Sequence, residues 1–399
     1  MSRSSHILAA ALALWAAMPT AIASLADLTR RYTRDDQLLD GALRYERNQA
    51  DTCQRVWVLE TGELVKAATT TKTAESETTD EFSLTADGDV YFIFHQVRAR
   101  QADGGTRITE ERVYFEEFQA IQFSHRTADV PAGAAAEIPA KTPSIKRNLE
   151  KLTDEQRSNE AANKKSKVII AVVRDPKFLV HDPAKDAPAD WQRIKLVEGT
   201  LSPDGRHALA WAPAKKDFVW SKYLAEESTD DYWVEPEAEP VVNFIADLKT
   251  HGIAGKTPGV HFGVKQNYNH YECIMAWSPD SRIFIELNTR KWDYAVCCIG
   301  RVTDGKLAAV QDLGAAVGTR AKEYLKTTKH KGYRKHAKEM VVALAEPKIE
   351  NDGTGSIKAI FQVPKSEEDD ACATLRVRFR LTAGKNQLEM VGAELLKDD

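Results

Sequence analysis

The sequence predicts a mainly β protein of two β-rich domains built from antiparallel meanders. Three observations carry this. Two stretches, Gly199–Pro213 and Ile274–Asn288, share a Ser-Pro-Asp turn followed by an alternating or β-branched strand. Three strand–turn–strand units lie within residues 55–125. A further run of β-patterned segments closes the chain over 357–395.

The first 23 residues read as a secretory signal. Arg3 supplies a positive start, and Leu8–Met18 is an apolar run too short to span a bilayer. Ala21-Ile22-Ala23 is a small-x-small cleavage site, with cleavage expected after Ala23. The expected location is periplasmic or secreted. No cysteine stands at the cleavage point to carry a lipid, and no later run has the length of a membrane span. Loss of Arg3 moves the formal charge from −4 to −5.

Residues 24–126 form the expected amino-terminal domain. Leu25–Ala50 suits a short helix or two. Hairpins follow at Thr61-Gly62, at Asp87-Gly88 and near Glu117-Phe118. The units recur at about 26–30 residues and resemble the β-hairpin repeats of exported bacterial proteins of unknown role. That resemblance implies a twisted antiparallel sheet and no particular chemistry.

Residues 127–167 read as a linker. Pro131, Gly133, Pro139 and Pro143 disfavour regular structure, and Ser144–Lys167, helix-forming in composition but with a narrow apolar stripe, reads as a solvated helix or disorder. The carboxy-terminal domain, 168–399, then opens on Val168–Val173, which its β-branched run marks as a strand.

In the turn Ser202-Pro203-Asp204-Gly205, Pro presets the backbone of a type I turn, and the Ser and Asp side chains bond nearby N–H groups. Ser278-Pro279-Asp280 repeats the pattern 76 residues later. Asp204 and Asp280 therefore read as turn caps rather than as metal or catalytic carboxylates. These residues, with Val241–Thr250 ending in Asp-Leu-Lys-Thr, resemble the SPDG hairpins of TolB-like (PD40) β-propeller repeats over roughly residues 195–312. The resemblance implies a propeller-like carboxy-terminal domain. The 76-residue spacing exceeds a single blade, and the span holds too few blades to close, so an incomplete propeller is expected.

Two charged segments stand out. Leu224–Pro240 holds seven acidic residues and no basic ones around Tyr232 and Trp233, with Asp230 and Asp231 beside them. It lacks the alternating carboxylates and turn glycine of a calcium loop. Arg320–Lys338 holds eight Lys/Arg against one Glu, among them Lys329, Lys331, Arg334 and Lys335. It follows Gly314–Thr328, a helix by the four-residue spacing of Val317, Ala321 and Leu325. These eight residues are the candidate partner-binding set, for another envelope protein or an anionic wall polymer. Pairing of the two segments with each other is the simpler alternative. Nucleic acid is not an expected partner for an exported chain.

No catalytic motif is present: no G-x-S-x-G, H-E-x-x-H, C-x-x-C, P-loop or G-x-G-x-x-G. On a strand, His270 and Cys273 would face opposite sides, which argues against a metal site with His261. The five cysteines are too few for a disulfide framework, and adjacent Cys297 and Cys298 would point to opposite faces. No cofactor, metal or catalytic residue is assigned. The sequence supports a non-catalytic exported binding protein; the alternative is a carbohydrate-active or other hydrolase using dispersed Asp and Glu.

Overall fold

A computed structural model of the chain describes residues 25–134, 137–153, 157–214, 241–261, 272–364, 372–382 and 387–396. The protein is mainly β, with four antiparallel sheets, none closed into a barrel among the described residues. The chain divides into two compact units. One runs up to Leu59 and over Leu64–Pro183; the other takes Glu60–Glu63 and the chain from Ala184 on.

The first unit is built on one sheet, ordered β8-β7-β6-β5-β4-β3-β2-β1-β9. Its strands are β1 (Leu43–Gln49), β2 (Thr52–Val58), β3 (Leu64–Lys72), β4 (Ser76–Leu84), β5 (Val90–Arg100), β6 (Thr106–Glu116), β7 (Gln119–Val130), β8 (Ile145–Lys146) and β9 (Leu179–His181). The three expected hairpins are β2–β3, β4–β5 and β6–β7. At the β4–β5 turn Gly88 takes φ 81°, a conformation glycine adopts without strain. Helix α1 (Leu25–Leu38) precedes the sheet, and the segment expected as purely helical also contains β1.

The pleat sends alternate residues to opposite faces. On one face α1 lays Leu28 and Tyr32 against Phe92 and Tyr114, with ring centroids 4.4 Å apart for Tyr32–Phe92 and 4.6 Å for Phe92–Tyr114. On the other, α2 (Glu160–Val173) packs Ala162, Ile169 and Val173 onto Val56, Val58, Ala67 and Phe82. A fully buried Ile or Val side chain contributes about 1.5–3 kcal/mol through such burial.

Val168–Val173 is thus the last part of a helix and not the expected strand. The helix's buried positions include Asn163 and Ser166 as well as Ile169 and Val173, which hides its stripe in the sequence. Two amides dock this region on β5. Asn159 Nδ2 donates to the Val90 carbonyl, and Val90 N–H donates to Asn163 Oδ1, both at 2.6 Å.

The second unit stacks three four-stranded meanders, each of consecutive strands. They are β10 (Lys195–Leu196), β11 (His207–Pro213), β12 (Val241–Asp247) and β13 (Gly252–Thr257); then β14 (Cys273–Trp277), β15 (Ile283–Thr289), β16 (Tyr294–Thr303) and β17 (Lys306–Asp312); then β18 (Val341–Ile349), β19 (Thr354–Gln362), β20 (Cys372–Thr382) and β21 (Gln387–Leu395). Four strands is the make-up of a propeller blade. The last sheet has one strand more than expected, β18.

Apolar layers join the sheets. Leu209, Trp211 and Ile245 meet Phe284, Cys298 and Val302 between the first and second. Ile283, Ile285, Leu287 and Cys297 meet Leu344, Phe361 and Phe379 between the second and third. Cys297 and Cys298 enter different layers, as the pleat requires, and none of the five cysteines forms a disulfide.

The first hairpin of each sheet turns in the same way. Gly205 N–H donates to the Ser202 carbonyl at 2.9 Å, and Ser281 N–H to the Ser278 carbonyl at 2.8 Å. Ser202 Oγ donates to Asp204 Oδ1, and Ser278 Oγ to Asp280 Oδ1, both at 2.7 Å. Asp204 and Asp280 in turn accept the amides of Arg206 and Arg282, at 3.0 and 3.3 Å. Pro203 and Pro279 follow the serines in both. A third turn, Glu350–Gly353, repeats the backbone bond, with Gly353 N–H on the Glu350 carbonyl at 3.0 Å. The last residue of each turn is left-handed: Gly205 at φ 71°, Ser281 at 61° and Gly353 at 83°.

Candidate functional site

Helix α3 (Leu313–Thr327) starts where Asp312 Oδ1 accepts the Ala315 amide at 2.8 Å. It buries Leu313, Gly314, Val317, Gly318, Ala321 and Leu325. Gly314 permits a close approach: an added Cβ would lie 2.4 Å from the Tyr294 ring. The helix is thereby held by one face, and Lys322, Glu323 and Lys326 are turned outward and exposed.

The helix ends in a Schellman arrangement. His330 N–H donates to the Leu325 carbonyl at 3.0 Å, and Lys329 sits at the left-handed position with φ 53°. Glycine is the usual occupant there, so this lysine is placed at a conformational cost. The His330 ring accepts the Tyr333 amide at 3.2 Å and starts α4 (Lys331–His336). Tyr333 anchors α4 edge-on against Phe361, with centroids 5.9 Å apart.

Anchored in this way, the two helices expose Lys322, Lys326, Lys329, Lys331, Arg334, Lys335 and Lys338. Arg320 pairs with Glu323 at 3.6 Å. Seven exposed cations within one short stretch set up a positive potential that concentrates anionic partners and steers them in. Lys329, Lys331, Arg334 and Lys335 were singled out by sequence; Lys322, Lys326 and Lys338 extend the surface. The other four candidates, Asp230, Asp231, Tyr232 and Trp233, lie outside the described residues, as does His270. Ser202, Pro203, Asp204 and Gly205, and Ser278, Pro279 and Asp280, form turns.

One strongly perturbed acid lies elsewhere in this unit. Glu286 on β15 is fully buried between the first and second sheets. Burial pushes its carboxyl up to about 7, while Thr257, Cys298 and Asn288 pull it partly back. The Cys298 thiol donates to Oε2 at 3.8 Å, and Oε1 has no hydrogen-bond partner among the described residues. Gly259 closes over it: a Cβ there would fall 1.7 Å from Oε1. Nearby on the same layer, Asn288 Nδ2 donates to Cys273 Sγ at 3.3 Å. The Glu286 carboxyl is thus closed off from solvent in this structure. Among the described residues no group of three or more His, Cys, Asp or Glu has the arrangement of a metal site.

No protein-family model matches the chain, and no curated protein matches it. Roles for its residues therefore rest on geometry. No helix among the described residues is long and apolar enough to cross a membrane.

Proposed function

We propose that this chain is a non-catalytic exported interaction protein that binds an anionic envelope polymer through α3 and α4. The observation that carries the reading is the run of seven exposed cations, held outward by helices whose other faces are buried. The charge far exceeds what a helix C-terminus needs. TolB-like repeats are the reading we infer for the three meanders, motivated by the turn pattern at 202–205 and 278–281 and its backbone echo at 350–353.

Co-sedimentation of the full chain with purified anionic wall polymer tests the proposal. Wild type is expected to pellet with the polymer at low salt. A Lys331→Glu, Arg334→Glu, Lys335→Glu variant is expected to stay in solution with an unchanged melting temperature. Equal pelleting of both chains would overturn the reading.

A further inference from the structure

We propose that the nine-stranded sheet carries a binding site for a neutral saccharide, on the face that presents Arg55, Thr70, Thr79, Glu81 and Gln96. A groove of about 720 Å³ lies there, within the size range of small-ligand sites. Strand register explains it. Cys53, Thr70, Thr79 and Gln96 stand opposite one another across β2 to β5, and Arg55, Ala68, Glu81 and Phe94 form the next row. Cys53, Ala68, Thr70 and Thr79 are short, so they make a floor between the longer Arg55, Lys72, Glu77, Glu81 and Arg98. Helix α1 leaves this part of the face open: its apolar residues lie on Phe92 and Tyr114, and Asp36 near its end ties to Lys66 at 3.4 Å.

The chemistry of the lining favours a neutral ligand. Three cations, Arg55, Lys72 and Arg98, face three carboxylates, Asp51, Glu77 and Glu81. Most are held in place. Arg55 pairs with Glu46 at 2.9 Å, Lys72 with Glu77 at 2.8 Å, and Lys66 with Glu81 at 2.9 Å. Gln96 Nε2 donates to Glu110 Oε1 at 2.9 Å, and the Thr70 and Thr79 hydroxyls lie 3.2 Å apart. Planar amide, guanidinium and carboxylate groups fixed in this way offer donors and acceptors to ring hydroxyls with little further ordering. The half-buried Phe94 ring supplies an apolar patch for the C–H groups of a sugar. An extended peptide would instead add to a sheet edge through its backbone. Most of this groove lies over interior strands whose ladders are already paired, and the Ala50-Asp51 turn closes one end, so it is mainly side chains that read its ligand.

The test is titration of the full chain with cellotetraose, chitotetraose and maltotetraose, followed by calorimetry and by amide NMR. At least one is expected to bind saturably, with little dependence on salt, and to shift the amides of Thr70, Thr79 and Gln96. Thr79→Val and Gln96→Leu are each expected to weaken that binding by at least about tenfold. If a variant fails to fold, the wild-type amide shifts decide alone. Absence of binding by all three at millimolar concentration would overturn the proposal. So would shifts confined to other residues, or affinity unchanged in both folded variants. The cationic surface of α3 and α4 plays no part in this test, so the two readings succeed or fail separately.

Discussion

The backbone N–H of Asp204 donates to the hydroxyl of Ser281 at 3.0 Å, joining two turns through residues 77 apart in sequence. The next turn along is joined in the same sense: Asp280 N–H donates to Asn351 Oδ1 at 2.8 Å. In both of these turns the third residue thus donates to a side chain in the turn of the following sheet. Trp277 Nε1 adds a further tie, donating to the Thr200 carbonyl at 2.9 Å.

Ser281 serves two purposes. It accepts a left-handed backbone, and its hydroxyl receives the Asp204 amide. Ser281→Ala keeps the conformational cost and loses the acceptor, so it is expected to destabilise by about 1–2 kcal/mol. Ser281→Gly loses the acceptor but relieves the backbone and is expected to cost less than Ala. Urea denaturation of the three chains checks the order. Equal stability of Ala and wild type would show that the inter-turn bond contributes nothing.

Glu286 makes stability fall as pH rises. Its folded value of about 7 stands above its ordinary 4.5, so between these limits the folded state binds more protons than the unfolded one. The slope of stability against pH is negative there, and the accumulated loss above the window is about 3 kcal/mol. Glu286→Gln cannot ionise. It is expected to be more stable than wild type at about pH 8 and to lose that advantage below about pH 4.5. Thermal melts across this range test it; a constant difference would contradict the assignment.

His95 Nδ1 lies 2.6 Å from Asp80 Oδ1 in the first unit. The bond to Asp80 raises the His95 value against the opposing effect of burial, and Asp80 is held low by the same partner. The His95 contribution is fully present below its unfolded value and fades as pH rises through its folded one. The Asp80 contribution is present above its unfolded value and fades in acid. His95→Gln is therefore expected to lower the melting temperature most near about pH 5.5 and least near about pH 9. A deficit that grows toward alkaline pH would have the wrong sign.

Lys329→Gly places at φ 53° the residue that position suits. It is expected to stabilise by about 0.5–1 kcal/mol and to weaken polymer binding by only one cation's share. Melting and binding measured on the same variant separate the two effects. A loss of stability would show that Lys329 makes contacts beyond its charge.

Much of the fold was legible locally. Asp87-Gly88 and the two Ser-Pro-Asp turns are short-range signals, because proline and the turn side chains act within a few residues. Val317, Ala321 and Leu325 announced α3 by spacing alone. Val168–Val173 misled, because a β-branched run gives no sign that Asn159 and Asn163 dock the helix onto a strand some 70 residues earlier. The turn at Glu350–Gly353 lacks Ser-Pro, so its kinship with the others appears only in its hydrogen bonds and left-handed glycine. At the cationic surface, sequence shows the charge density; that the opposite helix faces are buried depends on the fold. The groove residues take every second position of strands that are polar on both sides, as in Ser76–Glu81, which in sequence is indistinguishable from ordinary solvent-facing strand.

The most direct test of the central claim is the affinity of the full chain for purified anionic wall polymer as a function of salt. Wild type is expected to lose affinity steeply as salt screens the α3–α4 cations, and the Lys331→Glu, Arg334→Glu, Lys335→Glu variant to bind weakly at every salt concentration. Affinity independent of salt, or unchanged by the three reversals, would contradict it.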